Sequence, residues 1–171
     1  MTDLQLYHFN YVLNQLSKRI LPIYFYNHNK AKMCEWQNQI CLQSHVIAAY
    51  YIKKHFPKYF IWLCEGIFVD NVMKVQYNHS WLWIEDTEKH NDNTYLCDIA
   101  RVSAHIGLIK SKYNRPDEYI LDKELFHLRR QHSWRDLMND KEYYTGKTGQ
   151  EIIKDIDQML IDAKLSFTQY K

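Results

Sequence analysis

Glycine is scarce in this chain. Only Gly66, Gly107, Gly146 and Gly149 occur among 171 residues, which argues against a glycine-rich phosphate loop and against a many-turned all-β sandwich. An excess of one charge sign is also lacking. Lys and Arg number 22, Asp and Glu number 20, and the formal net charge is +2, so the chain has no electrostatic footprint for nucleic acid. The longest apolar runs are broken by Lys, His or Glu within a few residues, short of what a membrane helix needs. The first residues, MTDLQLYHFNYVLNQLSKR, are amphipathic with charges and amides inside them, unlike a secretory leader. The four cysteines, Cys34, Cys41, Cys64 and Cys97, contain no CxxC pair, and read as free thiols of a cytoplasmic protein. A protein exported by a non-classical route would carry the same pattern.

What is present is the composition of a globular domain. Hydrophobic residues make up 46% and charged residues 25%, which excludes disorder over most of the length. A chain of 171 residues suits one domain with a real core. Aromatics are abundant at 15%, with 14 Tyr and 5 Trp.

The periodicity predicts a helix over 2–20, where Leu6, Phe9, Leu13, Leu16 and Ile20 recur at helical spacing. Thr2 and Gln5 fit a capping box, and Pro22 is expected to end the run. Residues 24–36 have no clean period and read as an irregular connection. A second helix is predicted over 38–55, with Asn38 as N-cap, Ile47, Ala48, Tyr51 and Ile52 on one face, and Pro57 as terminator. The pattern then changes to strands over 59–64, 72–84 and 94–99, the last two separated by the polar turn 85–93. Signals weaken after Arg101. Leu121, Leu125, Leu128 and Trp134 are the apolar contacts of a charged stretch over 117–140, and 148–163 is an amphipathic helix with a Thr148–Glu151 capping box. A helix followed by three meandering strands predicts an α+β fold, the helix packed on an antiparallel sheet. No internal repeat or linker divides the chain, so residues 1–171 are expected to form one domain, with an N-terminal helix over 1–20 and a C-terminal helical extension over 117–171.

One ordered set of residues carries chemistry. Cys41 falls in the first turn of the second predicted helix, His79 opens the strand stretch His79-Ser80-Trp81-Leu82-Trp83, and Asp98 closes Tyr95-Leu96-Cys97-Asp98. A thiol attacks as the thiolate, which a helix N-terminus favours through its unpaired N–H groups and aligned dipoles. A neighbouring imidazole takes the proton and later returns it to a leaving group. A carboxylate on the other ring nitrogen fixes the tautomer. Acyl chemistry also needs oxyanion donors. The Cys41 N–H is one, and Gln37, Gln39 or the Trp36 indole N–H is a second. Alternation puts Trp81 and Trp83 on the strand face of His79, where they would wall a pocket or shield the sulfur from water.

The order Cys, His, Asp in this setting resembles the transglutaminase-like superfamily, a variation on the papain-like theme. The matching stretches are Gln39-Ile40-Cys41-Leu42, His79-Ser80-Trp81-Leu82-Trp83-Ile84 and Tyr95-Leu96-Cys97-Asp98-Ile99, within residues 36–101. The chain departs from many members in having Gln39-Ile40 where they have glycine before the nucleophile, and Ile99-Ala100 where they have proline and threonine after the aspartate. The resemblance implies a papain-like, transglutaminase-like α+β fold and a Cys41–His79–Asp98 triad working through a thioester. It implies no cofactor and no metal, and a protein or peptide substrate. Peptidase, amidase, deamidase and transglutaminase activities all lie within it.

Other readings compete. His45 lies one helical turn after Cys41 and is a rival base. Asp86 and Asp92 are rivals to Asp98. Cys34, Cys41 and His45 with His28 or His55 supply enough ligands for a metal, but their spacing matches no zinc motif and HExxH is absent. Gly146-Lys147-Thr148-Gly149 lacks the preceding glycine and strand of a phosphate loop. The cluster His127 to His132, with Arg129 and Arg130, reads as a solvated face or a partner-docking surface. The alternative to an enzyme is a non-catalytic binding protein that retains the fold and docks a protein partner.

Overall fold

The computed structural model describes residues 3–28, 37–86, 94–99, 107–111, 118–122, 134–140 and 147–167. Its amino-terminal helical run is longer than the sequence predicts. Helix α1 (Asp3–Gln15) passes through a π-helical turn (Leu16–Ile20) into α2 (Leu21–His28). Pro22 therefore does not stop the run, and residues 24–28 are helical. In the wide turn the Leu21 N–H reaches back to the Leu16 carbonyl. Where the ladder changes spacing, a residue without an N–H is tolerated. Phe9, Val12, Leu13, Leu16, Ile20, Leu21, Tyr24 and Phe25 stay buried along one side of this run. Thr2, the other half of the expected capping box, lies outside the described residues.

Helix α3 (Gln37–His55) is buried continuously from Leu42 to Ala49. A helix enclosed on all sides belongs at the centre of a domain. It packs on the sheet, and the main core gathers its Val46, Ile47, Ala49 and Ile52 with Leu82, Ile84, Tyr95 and Cys97 of the strands. Lys53 and Lys54 occupy its last turn, where positive charge suits the helix dipole.

The sheet has five strands in the order β4-β3-β2-β1-β5, all antiparallel. They are β1 (Tyr59–Asp70), β2 (Val75–Asp86), β3 (Thr94–Asp98), β4 (Gly107–Ser111) and β5 (Tyr119–Leu121). The fold is thus α+β, as the sequence predicts, but the strand lengths differ. Strand β1 runs past Glu65-Gly66 to Asp70 because pairing with β2 continues from Tyr59↔Asp86 to Asp70↔Val75. Val72 and Met73 belong to the hairpin turn, where Asp70 Oδ1 accepts their N–H groups at 2.9 and 2.8 Å. Lys74 takes a positive φ of 55° to close it.

The carboxy-terminal part is not wholly helical. Strand β5 lies inside the stretch expected to be helical extension and pairs with the outer edge of β1. Beyond it come α4 (Trp134–Asn139) and α5 (Gly149–Asp162). Helix α5 has the predicted capping box: Thr148 Oγ1 accepts the Glu151 N–H, and Glu151 accepts the Thr148 N–H at 2.7 Å. Among the described residues no helix is long and apolar enough to cross a membrane.

The β1–β5 contact depends on Gly66. A Cβ there would lie 2.0 Å from the Ile120 carbonyl oxygen and 2.7 Å from the Asp122 nitrogen, both main-chain atoms that a side-chain rotation cannot move. Gly66→Ala is expected to displace β5 and lower stability by about 2–3 kcal/mol. Denaturant titration checks this, and an unchanged midpoint would show that β5 is not held by this approach.

Candidate functional site

The sheet has two apolar faces. One belongs to the main core, and the other carries Cys64, Phe68, Trp81, Leu96 and Tyr119. The β2–β3 register pairs Leu82 with Cys97, which sets Asp98 opposite Trp81, one step past the last pair. His79 lies two residues from Trp81 on the same face, so His79 and Asp98 are diagonal neighbours, close enough for long side chains to meet. They do meet. His79 Nε2 and Asp98 Oδ2 are 2.8 Å apart with both side chains fully buried. His79 does not open a strand as the sequence suggested. Strand β2 starts at Val75, and His79 lies inside it.

Tyr119 was not found by sequence reasoning. Its hydroxyl donates to Asp98 Oδ2 at 2.8 Å. It reaches the site from β5, a three-residue strand with no clear alternation to reveal it. Aromatic rings surround His79: Phe68 and Tyr77 have centroids 5.7 Å away, and Trp81 stacks at 6.5 Å. Trp81 is wholly buried beside the imidazole and does not line the cleft described below.

The remaining ring nitrogen is not bound to the carboxylate. His79 Nδ1 is buried and has no hydrogen-bond partner among the described residues, and the same holds for Trp81 Nε1. The Cys41 thiol stands close enough to the ring to raise its pKa, without full hydrogen-bond geometry at Nδ1. Burial alone would disfavour the imidazolium. The hydrogen bond to Asp98 and the neighbouring Cys41 outweigh it and push the His79 pKa up to about 9. Burial likewise opposes ionisation of Asp98. The His79 imidazole, through its hydrogen bond and its charge, holds the carboxyl well below the usual carboxylate range. Cys41 is half-buried, whereas Cys64 and Cys97 are buried. Burial, then the Asp98 charge, pushes the Cys97 thiol strongly up and keeps it inert.

His45 is also brought to the site, but in another role than a base. Its Nδ1 lies 2.6 Å from the Cys41 carbonyl oxygen, and its Nε2 lies 3.1 Å from the Ile99 N–H. A carbonyl can only accept and an N–H can only donate, so the ring proton belongs on Nδ1. The 3.4 Å approach of Nε2 to Asp98 Oδ1 is then a contact rather than a hydrogen bond, and His79 is the carboxylate's imidazole donor. Ser80 Oγ lies 3.4 Å from Nδ1, and Ser17 Oγ donates to the Ile99 carbonyl.

The expected oxyanion donors are placed less favourably. Helix α3 begins at Gln37, so Cys41 is its fifth residue rather than part of its first turn. The helix ladder takes up the Cys41 N–H, and the unpaired N–H groups of the helix start precede it. Gln37 and Gln39 are helical there, but their side chains, like Trp36, Cys34 and residues 127–132, lie outside what is described. Asp86 ends β2, and Asp92 lies outside the described residues. Among the described residues no group of three His, Cys, Asp or Glu is arranged to hold a metal.

A cleft of about 360 Å³ opens beside His79, lined also by Glu65, Gly66, Ile67, Asn78, Ser80 and Asp122. It falls in the size range of small-ligand pockets. The assembled parts are a half-buried thiol close to an imidazole, a buried carboxylate that anchors one nitrogen of that ring, and a cleft that His79 lines and Cys41 does not. These parts suit nucleophilic acyl chemistry. Comparison with protein-family models, curated proteins and solved structures finds no match to this chain.

Proposed function

We propose that this chain is a cysteine-dependent acyl-transfer enzyme acting on a peptide or carboxamide bond, with Cys41 as nucleophile, His79 as acid–base and Asp98 as the residue that orients His79. The observation that carries the reading is the buried His79–Asp98 bond of 2.8 Å, combined with a second buried ring nitrogen that has no hydrogen-bond partner among the described residues and with the Cys41 thiol close to the ring. The resemblance to the transglutaminase-like superfamily supports the same assignment.

The steps follow from these positions. The His79 imidazolium stabilises the Cys41 thiolate. The sulfur attacks the carbonyl carbon of the bound amide, and the carbonyl π electrons move to oxygen. As the tetrahedral intermediate collapses, the C–N bond breaks and Nδ1 gives its proton to the departing nitrogen, leaving a thioester. Water, or an acceptor amine, then attacks the thioester. His79 takes its proton, the C–S bond breaks, and the thiolate is restored. Asp98 stays ionised throughout and holds Nε2–H in place. The residues do not choose between water and an amine, and so leave hydrolysis and transamidation as two outcomes of one mechanism.

Alkylation by iodoacetamide at pH 6 tests this. Cys41 is expected to react at least about 100-fold faster than Cys64 and Cys97, since thiolate fraction and access control the rate. His79→Ala is expected to abolish that advantage. Sluggish labelling of Cys41, unaffected by His79→Ala, would overturn the reading and favour a binding protein that retains the fold.

A further inference from the structure

The geometry points to His45 as a positioning residue that sets the distance between the nucleophile and the Asp98 end of β3. This inference rests on the triad reading above. Cys41 and Asp98 come from different elements, a helix and a strand, and nothing in either alone fixes their separation. The His45 ring spans them. It is wholly buried, its Nδ1–H donates to the main chain of the nucleophile itself at 2.6 Å, and its Nε2 accepts the N–H of the residue after Asp98 at 3.1 Å. The main chain on both sides of the reacting pair is thus tied to one rigid ring. The Ile99 carbonyl is held as well, by the Ser17 hydroxyl from the π-helical turn, so Ile99 is anchored through both of its main-chain polar groups.

Both anchors act on main-chain atoms, so they place Cys41 and Asp98 without touching substrate. A flexible helix–strand contact would let the sulfur drift from His79. A rigid aromatic bridge removes that freedom, and positional errors of about 1 Å at a reacting centre can slow chemistry about 100-fold.

Glutamine and asparagine at position 45 separate this role from simple packing. Both offer an amide donor and acceptor. Glutamine is long enough to donate to the Cys41 carbonyl while accepting the Ile99 N–H, whereas asparagine reaches the first and falls short of the second. Cys41 alkylation at pH 6 is the readout, with thermal unfolding run in parallel. His45→Gln is expected to keep the rate within about threefold of wild type, and His45→Asn to slow it about tenfold or more. The pH dependence of labelling should also move in His45→Asn, because His79 is no longer seated between the sulfur and Asp98.

An asparagine variant as fast as wild type, or a glutamine variant as slow as asparagine, would overturn the clamp. Should His45→Asn fail to fold, nitrogen NMR of the wild-type His45 ring replaces it: a proton on Nδ1 with Nε2 accepting a hydrogen bond supports the clamp, and a proton on Nε2 overturns it. If wild-type labelling itself is indifferent to His79→Ala, the triad reading fails before His45 is at issue. If that control succeeds and the position 45 variants do not differ, only the clamp fails.

Discussion

Asp98→Ala is expected to lower stability by about 3–5 kcal/mol, the usual result of removing one member of a buried, hydrogen-bonded charge pair. Asp98 is wholly buried, and its Oδ2 accepts from both His79 and Tyr119. Alanine leaves two buried donors without an acceptor and leaves a cavity beside the second apolar cluster. For a domain of this size the melting temperature should fall by about 10 °C or more. Asp98→Asn should cost less stability, because an amide oxygen can still accept, yet it should slow acyl transfer about 1,000-fold or more, because the negative charge that holds the imidazolium is gone. An alanine variant as stable as wild type would mean that the carboxylate does not anchor His79 and Tyr119.

Stability should also fall as pH rises from about 6.5 to about 9. The His79 pKa is about 9 in the folded protein against an ordinary value of 6.5, so the folded state keeps a proton that the unfolded chain releases. The stabilisation is fully present below pH 6.5 and is lost as pH climbs through the folded value. A shift of this size corresponds to a loss on the order of 3 kcal/mol. Asp98 works in the opposite direction. Its folded pKa is depressed, so its contribution is present above the ordinary carboxylate value of 3.8 and is lost as pH falls through the lower folded value. Urea unfolding between pH 6 and pH 10, compared with His79→Gln, isolates the first effect. Parallel curves for the two proteins would contradict it.

Several of these features were legible in the sequence. His79 and Asp98, singled out together in the sequence, meet in the fold, and period-two alternation already placed Trp81 beside His79. The Thr148–Glu151 cap announced α5 because the signal is entirely local. What escaped depends on approach between distant segments. Tyr119 touches Asp98 only because β5 returns to the outer edge of β1, and a three-residue strand is too short to show a period. His45 looked like a rival base at one-turn spacing from Cys41. Its nearest partners are main-chain groups, one of them just past the end of β3, and no side-chain pattern encodes them. The continuation through Pro22 depended on a π-helical turn, which apolar spacing does not distinguish from an ordinary helix end. The extension of β1 past Gly66 came from hairpin pairing rather than from its own apolar run.

The most direct test of the central claim is an NMR titration of the His79 imidazole in wild type, Cys41→Ala and Asp98→Asn. An imidazole seated between thiol and carboxylate should titrate near pH 9 in wild type and at a lower pH in each variant. A wild-type midpoint at or below 6.5 that neither substitution moves would show that sulfur, ring and carboxylate do not act as one unit.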